Sequence, residues 1–489
     1  MLKVASRPLT VISDDQVEEL HLASLRLLEE VGVELLDGRA LDLLASKGAE
    51  VDWNAQRARL PRGLVTEAVS KSPSSFELRG RNPARDVVIG GDSMVLAPVG
   101  GPLMVEDREK GRRYGSYADQ VQFIKLTHHS RLLDVTYRCV EALDLPPSTR
   151  HLDYLYAALR YSDKPMGVMS LDGGSAGDCL AVASLLFGDE EQLRAHPAVL
   201  GGINVDSPLR FSRETLETIM VFARAGQPLK ITPFVLTGVM SPVTPAGAIA
   251  QQNAEVLAGV TLAQLVNPGA PVLYGSFGTG ADMRSAAPVF GTGEGILMEI
   301  AAGQLARRYG LPHRGMGLVT TAPIGGAQAS LEKMNCLWSL TLSNVQFLLH
   351  AAGWLEGGLT ASYEQFVLDL EMIETMKRYL AGFPVDEDSL ALDTIAQIGP
   401  GGSFLMADHT IANYRRSLRP SPLVETRGYE AWQADGAPTI AQRAESLWQE
   451  WLGQYQEPPI DPGLEEAIRD FVERRKRGEA VPSSLVPRG

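Results

Sequence analysis

The sequence predicts an α/β chain: a closed (β/α)8 (TIM) barrel with an N-terminal helix-and-strand subdomain before it and a helical extension after it. Three observations carry this prediction. The 489 residues, 45% hydrophobic and 21% charged, have an ordinary globular composition and are long enough to bury a large core. From about residue 94 a beat recurs about eight times: an apolar or β-branched run, a Gly- or Pro-rich loop, then a segment with helical period. On either side of that stretch the pattern changes character.

The elements follow in order. Residues 14–32, DDQVEELHLASLRLLEEVG, read as an amphipathic helix capped by Ser13 or Asp14 and stopped at Gly32. A short helix is expected over 38–47. Shorter, strand-like runs then extend to residue 93, broken by turn signals at 79–83 and at Gly90-Gly91-Asp92, so that 1–93 form the N-terminal subdomain. The barrel is expected over 94–384, with strands beginning near Met94, Asp134, Lys164, Val199, Leu229, Pro271, His313 and Asn344. Helices follow, among them 116–129, 213–225, 246–266 and 293–309. Loops after such strands gather at one face of a barrel, where its active site forms. The extension, 385–484, holds a Gly-rich turn at 398–404 and charged helical sequence over 439–456 and 462–477. Residues 485–489, LVPRG, read as a thrombin-site remnant and are set apart from the functional argument.

Composition also excludes. A net charge of −14 with no basic tract makes nucleic acid and anionic membrane surfaces poor partners. Cys139, Cys179 and Cys336 lie far apart without CxxC spacing, so neither a disulfide framework nor a zinc knuckle is expected, and a reducing cytoplasm fits. No apolar run is long enough to span a bilayer. The glycine tracts at 278–280, 291–295 and 398–403 lack both the P-loop and the complete GxGxxG order, which argues against a nucleotide cofactor. Among the histidines only His128 and His129 are close, and HExxH is absent, so no metal is expected.

The richest stretch is 350–366, HAAGWLEGGLTASYEQF, which joins His350, Trp354, Glu356, Tyr363, Glu364 and Phe366 to Gly353, Gly357 and Gly358 after the eighth strand. Glycines let a loop wrap closely, aromatic faces attract cations and carboxylates orient them, so a small apolar or cationic ligand is indicated. His350 ends an apolar strand at the active face. Phe234, Tyr274, Phe277, Trp354, Tyr363 and Phe366 all fall at or just after strand ends, placing either core rings or a cage for a quaternary ammonium. Asp282 and Arg284 form either a structural pair or a carboxylate receptor. Gln328, Glu332 and Lys333 sit where the seventh strand gives way to its helix, with capping and surface pairing as the simpler reading. His409 is balanced between the two kinds of role.

The runs YGSFGTGADMR (274–284), GAQASLEKMN (326–335), the whole of 350–373 and IGPGGSFLMADHT (398–410) resemble the trimethylamine methyltransferase (MttB-like) family, as do DSPLRF (206–211) and 241–248. The resemblance covers nearly the whole chain. It implies a TIM barrel that moves a methyl group from a methylated amine to the cobalt of a corrinoid. The stretch 320–333 holds only ordinary residues, which resembles the non-pyrrolysine members that act on quaternary amines such as glycine betaine. Ala361 stands where the family often has Phe. On this resemblance Tyr363, Phe366 and Phe277 would hold the ammonium with Tyr274 and Trp354 nearby, Arg284 would take a carboxylate, and His350, Glu356, Gln328 and Glu332 are the catalytic candidates. No Asp-x-His-x-x-Gly motif is present, so a separate corrinoid protein is implied; a homo-oligomer is also expected. Two alternatives stay open: corrinoid-independent transfer to an acceptor such as tetrahydrofolate, and a non-catalytic binder of betaine-like solutes.

Overall fold

In a computed structural model, which describes residues 1–3 and 8–479, the eight expected strands close into one ring. They are Ser93–Leu96, the short stretch 134–136, Met166–Gly167, Val199–Val205, Leu229–Pro233, Val272–Gly275, His313–Gly315 and Phe347–Leu348. Neighbours run parallel, with Ile203 beside Ile231 and Ile231 beside Tyr274, and Phe347 returns to Val95 to complete the circuit. The second place is the thinnest. It is held by one bridge, Thr136 to Met166, and by the Asp134 N–H donating to the Leu96 carbonyl at 2.8 Å.

One long helix follows each strand: Tyr117–His129, Arg150–Tyr161, Gly173–Phe187, Arg213–Arg224, Pro245–Val266, Gly293–Arg308, Ala327–Leu342 and Tyr363–Ala381. Strand alternation sorts the side chains between the two faces. In Leu229–Pro233, Leu229 and Ile231 join the core beneath the helices, whereas Lys230 turns inward, its ammonium 5.3 Å from the Tyr137 ring. Gly167 makes that interior possible, because a Cβ there would sit 2.5 Å from the Tyr137 ring.

The N-terminal residues do not build a core of their own. Helix Asp14–Arg26 and helix Arg62–Ser70 pack on Pro245–Val266, in the same apolar cluster as the outer barrel. The hairpin Ser75–Leu78 with Val87–Gly90 sends Phe76, Leu78, Val87 and Ile89 against Val95, Val135, Leu200, Leu273 and Phe347, so it plugs the N-terminal end of the barrel. At the opposite end the loops add two small sheets. One joins Trp354–Leu355 and Thr360–Ser362 to the hairpin Met104–Asp107 and Gly111–Tyr114; the other joins Val235–Thr237, Gly278–Ala281 and Pro288–Val289. In the extension, helices Ile440–Gly453 and Pro462–Lys476 dock on the barrel flank through Trp448, Ile468 and Phe471. The thrombin-site reading of 485–489 lies outside the described residues.

Candidate functional site

A cavity of about 330 Å³ opens at the C-terminal mouth of the barrel, and every strand contributes to its wall. Gly100 follows the first strand, Tyr137 and Arg138 the second, Met169 the third; Asn204, Thr232 and Arg314 lie in the fourth, fifth and seventh; Phe277 follows the sixth and His350 the eighth. Its size suits a small ligand. A larger groove of about 990 Å³ lies on the outer flank beside helix Tyr363–Ala381, but there the cation Arg419 already pairs with Glu371 at 2.9 Å.

Phe277 is the hub of the wall. Its ring centroid lies 5.3 Å from Phe234, 5.7 Å from Phe290, 5.9 Å from His350 and 6.0 Å from Trp354. Trp354 in turn stands 4.5 Å from His350 and donates its indole N–H to the Thr320 carbonyl at 3.2 Å. Gly358, at φ +96°, lets the loop close behind that indole, since a Cβ there would fall 2.5 Å from it. None of the lining residues is Asp or Glu. A cation in this space is therefore met by aromatic faces rather than by a carboxylate.

His350 occupies the left-handed region at φ 64°. Its Nδ1 accepts the Gly100 N–H at 3.1 Å, and a backbone N–H only donates, so the ring proton resides on Nε2. Burial, reinforced by the positive charge of Arg314, Lys230 and Lys333, holds its pKa well below the ordinary histidine value. It is a neutral N–H donor. Arg314 is 4% exposed; its Nη1 donates to the Ser276 carbonyl at 3.0 Å and its guanidinium lies 5.1 Å from the Phe277 ring centre. Burial lowers its pKa to about 10, which leaves it charged near neutrality.

The loop after the eighth strand is anchored from behind. Lys333 and Asp369, both fully buried, pair at 2.7 Å; the same Asp369 oxygen accepts the Gly353 N–H at 2.8 Å, and its other oxygen accepts from the Gln365 side chain at 2.8 Å. Burial pushes the ammonium down and the carboxyl up from their usual values. Ser276, His313 and Glu299 form a second buried string that superficially looks like a nucleophilic triad. Ser276 Oγ donates to Glu299 Oε2 at 2.8 Å, so the His313 Nε2 at 2.7 Å from Oγ must carry the proton and donate. A serine held that way is no nucleophile, and none of the three lines the cavity.

Of the residues singled out in the sequence, the fold brings Phe234, Phe277, His350, Trp354, Gly357 and Gly358 together at the cavity. It places the others elsewhere. Tyr363 stacks on Phe123 and donates to Gln122 at 2.7 Å, while Phe366 packs on the same Phe123, so both belong to the core beneath helix Tyr363–Ala381 instead of forming a cage with Phe277. Tyr274 faces outward and donates to Asn253 at 3.0 Å. The Arg284 side chain is 92% exposed and among the described residues its only ion pair is Asp282, two residues away, so the two are a surface pair. Glu332 is taken up by the Thr321 N–H at 2.9 Å and by Gln328 at 2.8 Å. Glu356 pairs with Arg112 at 2.8 Å and Thr360 at 2.5 Å. Glu364 accepts from the Trp448 indole at 3.1 Å, and His409 lies on an exposed helix of the extension. Ala361 is fully buried in the pair with Trp354 and opens no gap in the cavity. Sequence reasoning missed Tyr137, Phe290 and Arg314; a charge inside an apolar strand run, as in the R of HRGMG, was the available signal.

A barrel with an aromatic, cation-bearing mouth fed by all eight strands defines an enzyme of the TIM-barrel class acting on a small molecule. The chain belongs to the trimethylamine methyltransferase (MTTB) family, whose profile matches residues 1–480. It is 35% identical over 466 residues to a glycine betaine methyltransferase of Desulfitobacterium hafniense (strain Y51), covering 95% of this chain and 97% of that one. It is 30% identical over 475 residues to the trimethylamine methyltransferase MttB of Desulfitobacterium hafniense (strain DSM 10664 / DCB-2), covering 97% and 95%. Among solved structures, the monomethylamine methyltransferase MtmB of Methanosarcina barkeri shares the fold, at a TM-score of 0.50 and 11% identity over 92% of this chain and 90% of that one. The protein is thus a methyltransferase, and the reading of it as a silent binder is set aside.

Proposed function

We propose that this methyltransferase takes a methyl group from a quaternary ammonium compound of the glycine betaine type and delivers it to the cobalt of a corrinoid carried by a separate protein. The observation that carries this reading is the cluster of rings around Phe277 in a cavity with no carboxylate in its lining. Phe277, Phe290 and Trp354 bind and orient the cation, and the enclosed mouth strips it of water. The cob(I)alamin acceptor attacks a methyl carbon with its electron pair; the C–N bond breaks, its electrons return to nitrogen, and a neutral tertiary amine leaves. No proton is moved, which matches a site whose histidine is held neutral. A tertiary amine as donor would expel a dialkylamide anion unless its nitrogen carried a proton, in which case a neutral secondary amine leaves, and this lining offers no carboxylate to hold that N–H.

The test is to incubate the protein with cob(I)alamin and, separately, trimethylamine, glycine betaine, carnitine and proline betaine, following methylcobalamin by absorbance. Methylation with a quaternary donor supports the reading. Activity with trimethylamine alone, or transfer only to tetrahydrofolate, overturns it.

The same reading includes a cytoplasmic homo-oligomer. Cys139, Cys179 and Cys336 are free and buried, and no described helix is long and apolar enough to cross a membrane. Helices Glu387–Leu390, Leu392–Ile398, Asp408–Ser417 and Tyr429–Ala434 bury none of their residues, while Phe383 is 85% exposed and Leu405 and Met406 77%. Helices this short have little stability alone, and apolar surface of this extent marks an interface. Light scattering that finds a monomer at micromolar concentration would count against it.

A further inference from the structure

Arg314 is a buried cation without an anion. Among the described residues no carboxylate reaches it within ion-pair distance; the carboxylate whose charge favours it, Glu299, is engaged behind the wall by Ser276 and the Met316 N–H. Its Nε has no hydrogen-bond partner, and neither does the Tyr137 hydroxyl. Both residues line the cavity, at 4% and 3% exposure. Leaving a buried guanidinium and a buried phenol unsatisfied is costly, and native interiors keep such groups where a ligand completes them.

The placement of these groups along the barrel adds a direction. Arg314 lies within the seventh strand, between His313 and Gly315, and Tyr137 comes directly after the stretch 134–136. The rings of the cage come from beyond the strand ends: Phe277 and Phe290 from the loops after the sixth strand, Trp354 from the loop after the eighth. The cationic floor is thus deeper than the aromatic rim. Phe277 spans both levels, with the Arg314 guanidinium 5.1 Å from its ring centre.

We infer that Arg314 and Tyr137 form a carboxylate-binding subsite at the floor of the cavity, so that the methyl donor is a zwitterion bound with its carboxylate down and its methylated ammonium up, at the mouth. This rests on the proposed methyl transfer from a quaternary amine and specifies its substrate class. The guanidinium offers the carboxylate paired N–H donors, and the phenol, whose pKa burial raises to about 12, stays protonated and donates. The carboxylate neutralises the floor, and its negative charge lies between two cations that would otherwise repel. The orientation also points the methyl groups at the C-terminal mouth, where the cavity opens. A donor with an ammonium and no carboxylate leaves Arg314 unpaired, and so is discriminated against at the level of binding.

The experiment measures binding by calorimetry, without any acceptor, for glycine betaine and for tetramethylammonium, which carries the cation alone. Wild-type protein is expected to bind glycine betaine at least about thirtyfold more tightly. R314Q should lose that preference, weakening glycine betaine at least about thirtyfold and tetramethylammonium less than about threefold. Y137F should weaken glycine betaine about five- to tenfold with the same selectivity, as expected for one lost hydrogen bond to a charged group. R314K should fall between wild type and R314Q, because a lysine lacks the planar fork. Equal losses for the two ligands in R314Q, or an unchanged ratio in Y137F, overturn the subsite; if R314Q does not fold, Y137F and R314K decide. Selective glycine betaine binding in a protein that never methylates cob(I)alamin would sink the proposed function and leave the subsite standing. Wild-type protein with no preference for glycine betaine sinks the subsite whatever its activity.

Discussion

Replacing Asp369 by Asn tests how the loop carrying Trp354 is held. The variant keeps the shape of the side chain but leaves Lys333, 0% exposed, facing a neutral amide. If the ammonium stays charged, an unpaired buried ion costs about 3–5 kcal/mol. If it gives up its proton instead, discharging a lysine of ordinary pKa ~10.4 at pH 7 costs about 1.4 kcal/mol per unit over roughly three units, again about 4–5 kcal/mol. Both routes give the same order, and the second has a pH signature. Burial already pushes Lys333 below its usual value, and in the variant little opposes it. The unfolded chain then binds a proton that the folded chain releases, so stability rises with pH up to the unfolded pKa. Urea unfolding of Asp369→Asn against wild type should show a deficit of about 3–5 kcal/mol at pH 7 that narrows to about 1–2 kcal/mol at pH 9.5. Methyl transfer should fall as well, since the Gly353 N–H loses its charged acceptor. A deficit under about 1 kcal/mol at pH 7, or one that stays constant to pH 9.5, would mean that Lys333 is hydrated and the pair is not an anchor.

Three further outcomes are expected. Phe277→Ala should weaken glycine betaine about five- to thirtyfold but weaken 3,3-dimethylbutanoate, which keeps the carboxylate and replaces the ammonium by a neutral tert-butyl group, clearly less; calorimetry giving equal losses would assign the ring a packing role only. Gly358→Ala meets both a positive φ and the Trp354 ring, so activity should drop sharply with a stability loss of about 1–3 kcal/mol, and a variant indistinguishable from wild type in turnover and urea midpoint would contradict the packing described. His350 is held neutral and burial lowers His313 to about 3, so each binds fewer protons folded than unfolded; stability should decline as pH falls below about 6.5, while methyl transfer between pH 6.5 and 8 shows no histidine inflection. A bell-shaped rate profile in that window would give His350 a proton-transfer role.

The barrel was legible because its signal is repeated. Each apolar run needs a sheet, each helical segment needs a face to cover, and eight units in series leave closure as the economical solution. The position of 350–366 at the mouth followed from the same count. Assigning its side chains did not. Tyr363 and Phe366 lie thirteen and sixteen residues beyond His350 in sequence, yet the helix that begins at Tyr363 turns them into the core with Phe123, a distant partner that no local pattern names. Arg284 looked available in a glycine-rich loop and is merely solvated. Arg314 was hidden for the opposite reason. In HRG the alternation of a short strand sends His313 outward and Arg314 inward, and which face is inside depends on a register fixed only by neighbouring strands.

The hairpin with Phe76, Leu78, Val87 and Ile89 closes the N-terminal end of the barrel, so among the described residues the reaction chamber opens at the C-terminal mouth. On the proposed transfer to a corrinoid protein, the methyl donor passes through the opening that the acceptor later covers. Turnover therefore has a compulsory order: the amine enters first, the acceptor protein docks and departs methylated, and the demethylated amine escapes last. Steady-state kinetics should carry that history, with excess acceptor protein inhibiting turnover by trapping the spent amine inside.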